Sequence, residues 1–194
     1  MGERMMENSA KTLLAGNWIM ALCGVFYLAW WVVAFRPPQP RSTSASRTLL
    51  ALAFLTGIAG FYLMGRTLAA PGPEVRDGIR GLQIALCGGV AYAVLLAGSV
   101  LIFQRQVTSE LLIIVAWAVL ELCAVNFLYR CGVLPFAAAL TLAGIVLAAA
   151  IASLVCYLLY YRLPYPPGFI AGCVPLALAV LTIALVNLTA ARTI

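Results

Sequence analysis

The chain has no histidine and only one lysine. Without imidazole there is no bis-histidine haem, no histidine-ligated metal and no histidine general base. Charge of either sign is scarce: 9% of residues are Asp, Glu, Lys or Arg, against about 25% in an ordinary soluble domain. Six acids in all, with only Glu121 deep in an apolar run, leave no second carboxylate at its depth for two-carboxylate chemistry. Cysteine is present at Cys23, Cys87, Cys123, Cys131, Cys156 and Cys173, but no two form C-x-x-C. These thiols read as small buried hydrophobes, not as a redox pair or a metal site. Walker A, G-x-G-x-x-G, H-E-x-x-H and G-x-S-x-G runs are absent as well. Ser99 and Ser153 have no nearby base in the sequence to activate them. The expectation is no metal, no cofactor and a reading that leans away from an enzyme.

What fills the chain instead is hydrocarbon. Hydrophobic residues make up 64% of it, with a mean hydropathy of +1.05. A helix crossing the bilayer needs about 20 apolar residues. Six such runs are predicted, at about 12–35, 48–70, 81–103, 108–130, 134–161 and 167–189. With short connections they use nearly all 194 residues. The fold class is therefore an all-α membrane protein, a six-transmembrane-helix bundle forming a single integral membrane domain. The first run is too long for a removable signal peptide, and Met6 stands where a myristoylation motif needs Ser or Thr.

Run ends carry interface marks. Phe26, Tyr27, Trp30, Trp31 and Phe35 precede Arg36, and Tyr157, Tyr160 and Tyr161 precede Arg162. Gly57, Gly60 and Gly65, then Gly88, Gly89 and Gly98, supply small packing surface to the second and third runs. Ala139/Ala143 and Ala148/Ala152 do so in the fifth, and Gly168/Gly172 in the sixth. Pro175 should kink the sixth helix or free a carbonyl. The tetrapeptide ALCG occurs at 21–24 and 85–88, which suits three related helical hairpins.

Twelve basic residues against six acids give a net charge of +6. The arginines are spread singly at run ends, which fits anionic headgroups and not nucleic acid. Six crossings put both termini on one side, side A. That side carries seven basic residues and side B five, a bias toward cytoplasmic termini in a cell membrane.

The residue that stands out is Glu121, in the middle of the fourth run. Hydrocarbon solvates a carboxylate poorly, so it must find a partner, take up a proton or face water. Glu110, Ile114, Trp117, Glu121, Val125 and Leu128 share one helix face at helical spacing. Asn126 and Arg130 point about 140° and 180° away from Glu121 at ~100° per residue. Counting at ~1.5 Å per residue puts Glu121 about 20 Å, and Arg66 about 27 Å, from the side-B ends of their helices. A Glu121–Arg66 pair is the expected neutralisation. Asn17, Trp18, Thr141, Thr182 and Asn187 count to the same half, and with Asn126 they complete the candidate ligand-binding or proton-coupling set. Together they predict a polar cavity opening to side A. The functional expectation is a small-solute carrier or membrane ligand-binding subunit. The alternative is a non-catalytic assembly subunit that meets a membrane partner, or a second copy, through its Gly and Ala faces.

Overall fold

The computed structural model describes residues 2–35, 43–69, 79–102, 109–160 and 162–193. They form six helices: α1 (Gly2–Phe35), α2 (Thr43–Ala69), α3 (Gly81–Leu101), α4 (Ser109–Arg130), α5 (Phe136–Tyr160) and α6 (Pro167–Ala191). No strand occurs among the described residues. All six helices are long and apolar enough to cross a membrane. The all-α six-helix bundle expected from hydropathy is what forms. The interface residues Arg36, Arg41, Arg76, Arg105 and Tyr161 lie outside the described residues, as do the expected helix limits at Ala70, Phe103 and Thr108.

Two helices start earlier than their apolar runs. α1 begins at Gly2 and α2 at Thr43. In the added part of α1, Glu7, Asn8 and Lys11 are exposed and Ala10 is buried, with Lys11 Nζ 2.5 Å from Glu7 Oε1 and the Thr12 hydroxyl donating to the Asn8 carbonyl at 2.8 Å. At 34 residues α1 is about 51 Å long, against a hydrocarbon core of about 30 Å, so its polar turns reach past the bilayer on side A.

The helices alternate in direction and pack in sequence-adjacent pairs. α6 also lies along α1, which nearly closes a ring of α1, α6, α5 and α4. α2 packs mainly on α1, and α3 mainly on α4. α4 is the axis: half of its span is buried, against 22% or less in every other helix. The helix face that carries Glu121 is largely enclosed, with Ile114, Trp117, Glu121, Val125 and Leu128 buried and Glu110 half-buried. Buried residues form three tiers. Leu13, Met64, Leu128, Leu134 and Val186 fill the side-A end. Ala21, Trp117, Val146 and Ile183 fill the middle, and Leu111, Ile114 and Tyr157 the side-B end.

Local chemistry explains the joints. α4 ends in a Schellman motif: the Val133 N–H donates to the Leu128 carbonyl at 3.0 Å and the Gly132 N–H to Tyr129 at 3.0 Å. Gly132 takes φ +78°, a conformation that favours glycine. Pro135 follows and its carbonyl accepts the first helical bond of α5, from Ala139. α1 and α2 approach closely because Gly60 faces α1. A Cβ there would stand 2.8 Å from Met20 Cγ and 3.0 Å from the Gly16 carbonyl oxygen. Gly60→Val should therefore destabilise the α1–α2 pair by about 1–3 kcal/mol, the usual cost of overpacking. Half-buried Gly65, with no atom within 4 Å of its Cβ position, is the control. Thermal unfolding in detergent should fall for Gly60→Val and stay nearly level for Gly65→Ala.

Candidate functional site

Glu121 lies 1% exposed at the centre of the bundle, and its partner is not Arg66. Asn17 Nδ2 on α1 donates to Glu121 Oε1 at 3.0 Å and to Asn187 Oδ1 on α6 at 3.1 Å. Asn187 Nδ2 in turn reaches the Leu14 carbonyl at 3.4 Å. Asn17 is 1% exposed and Asn187 fully buried. Three helices are thus joined by one polar node of a carboxyl group and two carboxamides.

The hydrogen-bond inventory of this node is unbalanced. Asn17 spends its amide protons on two acceptors, and its own Oδ1 is buried with no donor. Glu121 brings two more acceptor oxygens. The node is short of donors, and the described residues place no cation against it.

The expected Glu121–Arg66 pair fails because depth is not adjacency. α2 packs on α1 and barely touches α4. Arg66 is exposed on α2, at the wall of an open groove. The expected cavity opening to side A is also replaced by packing. The side-A tier of Leu13, Met64, Leu128 and Val186 fills that half. The other sequence-selected residues do not join the node. Trp18 is 44% exposed on the outer surface. Asn126 Nδ2 donates to the Ile79 carbonyl at 2.7 Å and ties the start of α3 to α4. The hydroxyls of Thr141 and Thr182 bond back to Ala137 and Leu178 within their own helices. Thr182 is buried and borders a shallow groove between α5 and α6.

A larger groove, of about 860 Å³, opens between α1, α2, α4 and α6. Its relation to the node follows from helical spacing. Met20, Trp117 and Ile183 line it. Each is one turn from a node residue: Met20 from Asn17, Trp117 from Glu121, Ile183 from Asn187. On all three helices the step runs toward side B, so the groove floor lies about 5.4 Å from the node. Trp117 is 8% exposed, and its buried Nε1 has no acceptor. Helical spacing places Trp117 on the Glu121 face, and the packing of α1 and α6 against α4 completes the floor. The residues brought together are thus Glu121, Asn17 and Asn187, bordered by Trp117.

Interhelical hydrogen bonds in membranes average only about 0.6 kcal/mol. Orphaning a buried polar group costs about 1–3 kcal/mol. The second figure decides the mutational pattern. Asn17→Leu should cost about 1–3 kcal/mol, because it leaves Glu121 and Asn187 without their donor. Glu121→Leu should orphan Asn17, and the double change should cost clearly less than the sum. Additive unfolding free energies in detergent would show that the three side chains do not act as a unit. No protein-family model matches the chain, and comparison with curated proteins and with solved structures finds no match.

Proposed function

We propose that this polytopic membrane protein is a small-solute carrier or ligand-binding subunit in which Glu121 is the proton- or ligand-contacting group. One observation carries the reading: a carboxyl group buried at mid-membrane, met among the described residues by the Asn17 carboxamide, whose own oxygen lacks a donor. A proton on the carboxyl, or an N–H or O–H from a ligand, supplies what the node is short of. Intramembrane ionisable groups commonly mark such pathways. The groove one turn away gives a solute somewhere to sit. In this reading Asn17 and Asn187 position the carboxyl group, and Arg66 meets ligands or headgroups at the groove wall. Trp18, Asn126, Thr141 and Thr182 have supporting places in the helices. The arginine bias favours a cell membrane with cytoplasmic termini.

The test is infrared difference spectroscopy of the protein in lipid across about pH 4–9, the range that brackets ordinary and strongly displaced carboxyl groups. Wild-type protein should show a carboxylic-acid carbonyl band that changes with pH and is missing in Glu121→Gln. The band should move in Asn17→Leu. Spectra of wild type and Glu121→Gln that superimpose over the whole range would remove Glu121 as a proton-exchanging group.

A second reading has its own support. The node residues are packed among three helices, and none of the grooves described here is lined by them. A node of this kind fits a lock that holds α1, α4 and α6 in register in an assembly subunit. Co-purification of a partner chain, lost when exposed residues of α3 are changed, would favour it.

A further inference from the structure

The large groove has one long apolar wall and one charged end. Phe54, Ile58, Phe61, Tyr62, Gly65 and Arg66 all line it, at the spacing of a single face of α2. Phe54, Ile58, Phe61 and Tyr62 are 62–67% exposed, since α2 packs on α1 and leaves this face without a helix against it. The facing wall comes from α1, α4 and α6 through residues such as Met20, Trp117 and Val180. Among the described residues Arg66 is the one charged group on the lining. It is exposed in the last turn of α2, and no carboxylate among the described residues pairs with it. Gly65 keeps the space beside Arg66 open, with no atom within 4 Å of where a Cβ would stand.

We infer that the groove seats an acyl chain of an anionic phospholipid from the side-A leaflet, with the headgroup phosphate at Arg66. Charge and length both select this occupant. An arginine stem lies along apolar surface while its guanidinium reaches the interface. There its planar fork matches phosphate oxygens. From Arg66 down to Phe54 the wall runs about 18 Å at ~1.5 Å per residue. One leaflet supplies about half of the ~30 Å hydrocarbon core, so a lipid anchored at Arg66 lays its chain along most of this wall. A zwitterionic headgroup would bring its own cation beside the arginine. A small polar solute would meet hydrocarbon along nearly all of the lining. A partner helix laid on this face would need an acid of its own at the height of Arg66. The lower part of the lipid chain covers Met20 and Trp117, the floor one turn from Glu121.

A lipid in this groove deepens the ligand-binding reading and rests on it for the seat alone, not on proton exchange at Glu121. The probes are phosphatidylglycerol and phosphatidylcholine with identical acyl chains. They are added in equal amounts to purified protein in detergent and read as bound adducts by native mass spectrometry. Wild-type protein should retain phosphatidylglycerol over phosphatidylcholine by about fivefold or more, the scale of a single arginine at an anionic surface. Arg66→Gln should bring the two lipids near parity. Arg192→Gln, exposed at the side-A end of α6, should leave the preference intact. Gly65→Leu should fill the groove and remove the retained lipid, while its thermal unfolding stays near wild type because the new side chain enters open space. If Gly65→Leu does not fold, Ile58→Trp, on another turn of the same wall, takes its place with the same expected loss. Glu121→Gln should retain phosphatidylglycerol like wild type. Equal retention of the two lipids by wild type would overturn the inference. So would a preference unchanged in Arg66→Gln, or retention unchanged in Gly65→Leu. A wild-type dimer that Gly65→Leu splits would overturn it too, since a second copy would then fill the groove. Failure here leaves the infrared result at Glu121 standing, and the reverse also holds.

Discussion

Putting a carboxyl group into hydrocarbon is the constraint around which this bundle is arranged. Glu121 cannot be left without hydrogen bonds at the bilayer centre, and on its own helix face the Trp117 N–H does not reach it. The answer is an amide from α1, backed by an amide from α6. That requirement brings three helices together at one height. It also explains why α4 is the most enclosed helix: a polar group must be surrounded before it can be satisfied. The apolar tiers above and below the node then exclude water from it.

The node is economical in donors. One asparagine side chain bridges two acceptors and leaves its own oxygen unmet. A purely structural lock would be better served by a balanced set, such as a carboxyl group facing two donors. A proton on the Glu121 carboxyl group would add the donor the node is short of. The node's separation from the large groove by a single helical turn gives a short mechanical path. A shift of Trp117 in the groove floor is a shift of the turn that carries Glu121.

The two ends of α4 differ in chemistry as well as in place. Toward side B, Glu110 sits among aromatic rings near the interface. At mid-membrane, Glu121 sits among amides. Both carboxyl groups belong to the one helix face that reads as continuous in the sequence.

Much of this was legible before any coordinates. Hydropathy alone determined six crossings, since only helices can satisfy a backbone in lipid. Helical spacing determined which residues of α4 share a face with Glu121, and the position of Glu121 within its run determined that a polar group must be accommodated there. The identity of its partners was decided by tertiary structure. Arg66 and Asn17 lie at comparable depth, and depth is all that counting along a helix supplies. Which helix stands beside which is settled by close packing at small residues, such as Gly60 against Gly16 and Gly172 against Trp31. That packing laid α2 on the flank of α1 and set α1 and α6 against α4. It turned Arg66 to the groove and Asn17 to the carboxyl group. Lateral neighbours in a bilayer are chosen by shape, and shape is not visible in a hydropathy pattern.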